Sequence, residues 1–283
     1  MVEPKYKKGI KTFIYHLLVL AGAFVMLYPL LWMFFSSFKP HEDVFGLGAR
    51  ILPVRWVFEN YPYGWAGFGG ISFSKFFSNS LVIAVVGTIG SVFSSALVAF
   101  GFARIKFKGR NFWFVCMMLT MMLPGQVTMI PRYIMFHKFG WIDTFLPLIV
   151  PHYFAQAFFV FLNMQFINGL PKELDESAYV DGCSRFGIFR YIILPLIVPS
   201  LATSAVFSFI WSWDDFMGPL LYLNKPALYP VSIALRMYSD PTALTNYGAL
   251  FAMSSLSLLP ILLIFIFGQR YLVEGISTTG LKG

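Results

Sequence analysis

Charged residues make up only 12% of this 283-residue chain, so the places where they gather are the places to look for chemistry. The first is PKELDESAYVDGCSRFGIFRYIILP, residues 171–195, which sets Lys172, Glu173, Asp175, Glu176, Asp181, Arg185 and Arg190 between two strongly apolar runs. Pro171 suits the first turn of a helix, and the acids after it suit the positive end of the helix dipole. Leu174 and Ala178 fall one turn apart, and Gly182 is placed to end that helix. A second short helix follows from Ser184, with Phe186, Phe189 and Ile193 on one side. The pattern predicts helix, glycine turn, helix at a membrane surface. Such a piece rests on lipid, caps its own bundle or docks into a partner, and spacing leaves all three open. The second gathering is Asp214 and Asp215, flanked by Trp211, Trp213 and Phe216. Acids at the edge of an apolar span are costly and usually face a cavity or a partner. Aromatic faces of this kind stack on sugar rings, and carboxylates accept hydroxyl hydrogen bonds. The competing use is an interfacial aromatic belt with the acids among lipid headgroups.

Other chemistries lack residues. His16, His41, His137 and His152 are scattered without metal-ligand spacing, so no metal site is expected. No Ser/His/Asp set or carboxylate pair falls at a common depth, which argues against an enzyme. Cys116 and Cys183 read as small buried residues rather than a disulfide framework. The net charge of +8 sits in short basic clusters beside apolar runs, which is a topology signal and not a nucleic-acid surface.

The elements that must position these residues are membrane spans. The chain is 58% hydrophobic and 19% aromatic, far from soluble composition. About 20 apolar residues cross the hydrocarbon core as a helix, and six such runs are present: 12–35, 76–102, 112–130, 146–167, 195–223 and 248–268. The whole chain reads as one all-α membrane domain, its polar segment 171–191 lying between the fourth and fifth spans. Longer loops cover 36–75, 131–145 and 224–247. The first run has no small-residue cleavage site and is expected to be a retained span. Gly87, Gly90, Ser91, Ser94 and Ser95 in the second span permit close helix packing. The Met-rich third span reads as packing, and Pro195 and Pro199 bend or delay the fifth. Thirteen of the 21 Lys and Arg residues lie on the side that holds both termini and the 171–191 segment, against eight on the other. The positive-inside rule therefore puts the termini and that segment in the cytoplasm.

Glu176-Ser177-Ala178, three residues, Gly182, nine residues, then Ile192-Ile193-Leu194-Pro195 resembles the EAA motif of ABC importer permeases. Its one departure is Ser177 for Ala, one small residue for another. Weaker stretches resemble the carbohydrate-type subfamily, similar to the smaller maltose permease. They are Asn79-Ser80, Ala103-Arg104 with 107–110, 123–126, Ile130-Pro131, 213–216 with Pro219-Leu220, Glu274-Gly275 and Lys282-Gly283. Together they cover nearly the whole chain in order.

The resemblance implies a type I importer transmembrane domain of six helices in a bacterial or archaeal cytoplasmic membrane. Its implied partners are a second homologous permease, two ATP-binding cassette ATPases, an extracytoplasmic solute-binding protein, a sugar and membrane lipid. Residues Glu173, Glu176, Ser177, Ala178, Asp181, Gly182, Arg185 and Phe186 become the expected ATPase-coupling surface. ATP-driven closure there would rock the helices and alternate access. Trp211, Trp213, Asp214, Asp215 and Phe216 become candidates for the translocation path. Tyr229, Arg236, Tyr238 and Asp240, in the loop 224–247, are expected to meet the binding protein. The sequence holds no GxxxxGK[ST] phosphate loop, so ATP-Mg and its hydrolysis are expected on the partner ATPases and no cofactor on this chain. The rival reading is an ion-coupled secondary transporter or channel with Asp214 or Asp215 in a proton relay.

Overall fold

The computed structural model describes residues 5–46, 50–238 and 246–280. Secondary structure among them is helical, apart from one isolated bridge between Phe68 and Ile71. In chain order the α-helices are α1 (Lys5–Ser36), α2 (Asn60–Ala66), α3 (Phe73–Arg104), α4 (Arg110–Met122), α5 (Gly125–Lys138), α6 (Leu146–Ile149) and α7 (Ala157–Gly169). They continue as α8 (Glu173–Val180), α9 (Arg185–Ile188), α10 (Leu194–Leu196), α11 (Val198–Asp214), α12 (Met217–Tyr222), α13 (Val231–Tyr238) and α14 (Tyr247–Gly280). Four stretches are long and apolar enough to cross a membrane: Lys11–Ser36, Phe73–Arg104, Leu146–Gly169 and Tyr247–Leu272. Two bent pairs qualify together, α4 with α5 (100°) and Arg185–Leu196 with α11 (78°), giving six if each pair is one span. The bends have local causes. Pro124 forces Leu123 out of the helical region, and its ψ of 119° ends α4. Pro199 in the first turn of α11 cannot donate to the preceding turn.

The chain forms two compact units. The first holds Met1–Phe73 and Leu235–Leu258. Its centre is Asn60, 4% exposed, whose amide nitrogen donates to the Ser37 and Lys39 carbonyls just past the end of α1. Both carbonyls lie beyond the hydrogen-bond ladder of α1 and need a partner when buried. Gly248 makes that approach possible, since a Cβ there would lie 2.3 Å from Asn60 Nδ2. Tyr238 Oη donates to the Gly64 carbonyl at 2.5 Å, and burial pushes its phenol up to about 12.

The second unit holds Ser74–Ala234 and Leu259–Gly283. Ala96, Ala99 and Ala103 repeat at helical spacing on α3 and are almost fully buried. This small-residue face receives Val160, Met164 and Ile167 of α7 together with Ile188, Phe189, Ile193 and Ile197. In mid-span, Asn163 of α7 bonds Ser200 and Ser204 of α11, a polar tie that apolar surroundings favour. Asn79 and Ser80, near the start of α3, hold the stretch 227–231. Asn79 donates to the Ala227 and Tyr229 carbonyls, and Ser80 Oγ accepts from Val231 N–H at 2.8 Å.

Several elements depart from the sequence-based outline. The stretch 36–75 carries α2 and a short 3-10 turn, helix α5 continues to Lys138, and α13 occupies part of 224–247. The fourth span is interrupted: a 3-10 turn at Val150–Phe154 gives way at Ala155, whose φ is +56°, before α7 begins. Ser94 and Ser95 of α3 fill the interruption by accepting from the Ala155 and Gln156 N–H groups, each at 3.1 Å. Alternation of apolar residues carries no sign of a break satisfied by hydroxyls 61 residues away.

Candidate functional site

The turns of the polar segment 171–191 are closed by local hydrogen bonds. Helix α8 opens with Glu173, Asp175 and Glu176 in its first turn and closes in a complete Schellman motif. Cys183 N–H bonds the Ala178 carbonyl at 2.9 Å and Gly182 N–H bonds Tyr179 at 3.1 Å, with Gly182 at φ +80°. Ser184 then caps α9, its Oγ accepting from Gly187 N–H at 3.1 Å. A side chain at 187 would collide with Cys183 Sγ, which is why glycine stands there. A π-helical turn, Phe189–Ile193, carries the chain into α10.

The inner face of this piece is anchored twice. Ile188, Phe189 and Ile193 enter the alanine-lined core of α3, and Ala178 and Cys183 pack at its edge. Asp175 Oδ2 lies 2.7 Å from Arg104 Nε at the end of α3, with the two side chains only 18% and 6% exposed. Arg104 Nη2 also donates to the Leu170 carbonyl at 2.9 Å. Burial pushes the Asp175 carboxyl above the usual carboxylate range; Arg104 opposes that rise and Glu176 adds to it. Desolvation thus outweighs the attraction, as it often does for buried pairs. Arg104 Nη1 and Asp175 Oδ1 have no hydrogen-bond partner.

The outer face is left open. Glu173, Glu176, Ser177, Asp181, Gly182 and Arg185 are exposed, and so are Tyr179, Val180 and Phe186. Of the residues expected to couple, only Ala178 turns partly inward. Arg104 and Asp175 escaped the sequence reading because 71 positions separate them, and no local pattern signals their meeting.

The second cluster surrounds a cavity of about 490 Å³ lined by His152, Gln156, Ser208, Trp211, Ser212 and 214–217. Trp211, Asp214, Asp215 and Phe216 are therefore brought together as expected. Trp213 is not; it is 4% exposed and packs on Phe209 and Phe77. Asp215 links α11 to α12, its Oδ1 accepting from Gly218 N–H at 3.0 Å and its carbonyl from Ser232 Oγ at 2.8 Å. A Cβ at Gly218 would lie 2.4 Å from Asp215 Oδ2. Gln156 Nε2 lies 2.7 Å from His152 Nδ1. Gly87 makes room for the His152 ring, which a Cβ would approach to 3.3 Å.

In the loop 224–247, Tyr229 Oη bonds the Asn224 carbonyl, Arg236 is exposed and Tyr238 is tied to Gly64. Asp240 lies outside the described residues. No group of three or more His, Cys, Asp or Glu residues among the described ones is arranged to hold a metal.

Among the described residues the chain is a helical protein with candidate membrane spans, an anchored surface segment, and a cavity lined by aromatic, acidic and hydroxyl side chains beside a broken span. The chain belongs to the binding-protein-dependent transport system inner membrane component family, matched over residues 91–278. It is a membrane-embedded ABC importer permease and not itself an enzyme, since ATPase activity in such systems resides on separate subunits. It is 34% identical to the arabinooligosaccharides transport system permease protein AraQ of Halalkalibacterium halodurans, over 92% of this chain and 93% of that one. It is also 34% identical to the probable ABC transporter permease protein YurM of Bacillus subtilis, over 90% and 84%. Among solved structures, a chain of a bacterial ABC transporter involved in import of the acidic polysaccharide alginate superposes with a TM-score of 0.83. That match has 20% identity and covers 96% of this chain and 99% of that one.

Proposed function

We propose that this permease forms half of the translocation path of an ATP-driven oligosaccharide importer and couples to cytoplasmic ATPases through segment 171–191. The observation that carries the coupling role is the contrast between that segment's two faces. Its inner face is fastened to α3 by the Arg104–Asp175 pair and the alanine core, while Glu176, Tyr179, Val180 and Phe186 stand out from it. A piece so held transmits a push on its outer face into the spans instead of yielding locally. The excess of Lys and Arg beside it supports a cytoplasmic position, with both termini on that side.

A second, homologous permease supplies the other half of the path, and closure of the ATPases on bound ATP-Mg switches access across the membrane. The cavity at Trp211, Asp214, Asp215 and Phe216 belongs to that path. The stretch held by Asn79 and Ser80 faces a solute-binding protein, with Tyr229, Arg236, Tyr238 and Asp240 as its contact region. The arabinooligosaccharide system of the Halalkalibacterium relative supports an oligosaccharide as the solute.

Glu176→Lys and Gly182→Pro test the coupling. The first reverses charge on the outer face, and the second cannot adopt the φ of +80° found there. Both are expected to abolish uptake while the permease pair still co-purifies. Wild-type uptake by either variant refutes the coupling role.

A further inference from the structure

We propose that the cavity beside the end of α11 is a glycosyl-binding site selective for neutral over anionic sugar units. The inference rests on the assignment of this cavity to the translocation path and adds the class of solute it accepts. Three observations carry it.

First, the lining holds hydroxyls without partners. Ser208 and Ser212 lie one turn apart on α11, Ser208 only 1% exposed, and neither Oγ makes a hydrogen bond. Helical serines commonly bond the carbonyl one turn back, and buried polar groups are rarely left unpaired. Both Oγ atoms are shielded in this rotamer, so they serve ligand hydroxyls only after turning into the cavity whose wall they help to form. Second, Trp211 offers a ring surface beside them. It stacks on Phe159 at 5.3 Å and remains 48% exposed, so an indole surface stays available to an apolar sugar face. Third, the wall holds acids and lacks strong bases. Asp214 and Asp215 contribute carboxyl groups, no lining residue is Lys or Arg, and His152 Nδ1 is engaged by the Gln156 amide.

Neutral sugar hydroxyls donate to the carboxylates and bond Gln156, and Ser208 and Ser212 join once their Oγ atoms turn to the cavity. A uronate or phosphate finds no Lys or Arg in this wall. One anionic charge about 8 Å from one of these carboxylates is disfavoured about 30-fold at an effective dielectric of about 20.

The test uses the complete importer, with its partner permease, ATPases and binding protein, in nanodiscs. A diazirine-bearing galactotriose and the matching trigalacturonate differ only in oxidation at C6 and are photolabelled at equal concentration. Labelling of residues 208–217 is read by mass spectrometry. The neutral probe is expected to label this stretch about 30-fold more than the acidic one. Ser208→Ala and Ser212→Ala each lower neutral labelling about fivefold, the loss of one hydrogen bond. Asp214→Asn with Asp215→Asn, which keeps an acceptor for Gly218 N–H, narrows the ratio to within about threefold; assembly is checked by co-purification. Equal or preferential labelling by trigalacturonate overturns the selectivity and leaves the path assignment standing. Absence of label at 208–217 from both probes overturns the site and the path assignment together.

Discussion

Arg104→Gln tests how the coupling segment is held. At 2.7 Å and an effective dielectric of about 20, the attraction between Arg104 and Asp175 is about 6 kcal/mol before desolvation. Desolvation offsets much of this, since burial already pushes the Asp175 carboxyl upward against the pull of Arg104. The intact pair is therefore worth little, yet removing its cation alone is costly. A buried carboxylate stripped of its cation costs about 3–5 kcal/mol, and the 18% exposure of Asp175 favours the lower figure. We expect α8 to open about 3 kcal/mol more easily, which is about 150-fold in amide exchange at 1.36 kcal/mol per factor of ten.

Asp175→Asn is expected to be mild, below about fivefold. It removes the charge whose burial is penalised and leaves Arg104 bonded to Leu170. Hydrogen–deuterium exchange of residues 174–180 in the purified protein measures both variants. A raised pKa in the folded state means that protonation favours the docked segment. Docking therefore strengthens as pH falls from neutrality through that pKa, and Asp175→Asn removes the dependence. Exchange within threefold of wild type for Arg104→Gln, or equal effects from the two variants, refutes this account of the anchor.

Other outcomes follow from single contacts. Gly182→Ala meets open space, so its cost is backbone strain alone, about 1–2 kcal/mol, read as about tenfold faster exchange in α8. Gly248→Ala drives a methyl into Asn60 and frees the Ser37 and Lys39 carbonyls, with an expected loss of about 2–4 kcal/mol seen as a lower Tm. Ala155→Gly relieves a φ of +56° and is expected to raise Tm modestly, since relief of about 1–2 kcal/mol exceeds the added unfolded-state freedom. Tyr238 is expected to stay protonated in a spectrophotometric titration until about pH 12. Its stabilising effect fades above pH 10, where the unfolded chain loses the proton first, and Tyr238→Phe removes that late step.

What the sequence made legible is what local chemistry decides. Gly182 takes the left-handed conformation expected of it, Ser184 begins α9, and Pro199 marks a real bend, whereas the 100° break at Pro124 cuts a third span that the sequence outline runs unbroken from 112 to 130. Trp211 and the two aspartates share a cavity as their residue types suggest. Illegible were the features made by distant pairs. Arg104 stood out only within a weak resemblance and a count of basic residues, and nothing near it names Asp175. Asn79 and Ser80 stood out only as a resemblance, whereas their role is to hold backbone 150 residues away. Trp213 has the same type and neighbours as Trp211, and helix rotation alone sends one inward and the other to the cavity. His152 looked isolated because its partners, Gln156 and the space left by Gly87, acquire meaning only once the fourth span is broken.

That break bears on how the protein is made. The Ala155 and Gln156 N–H groups are answered by hydroxyls of the second span, and each would be costly to leave bare in hydrocarbon. The fourth segment leaving the translocon by itself must either keep water at its break or close into a continuous helix. Its native form requires the second segment to be waiting beside it. Replacing both Ser94 and Ser95 with alanine is expected to leave a chain that inserts and orients correctly while its fourth segment stays unpacked, read as faster amide exchange at 155–156.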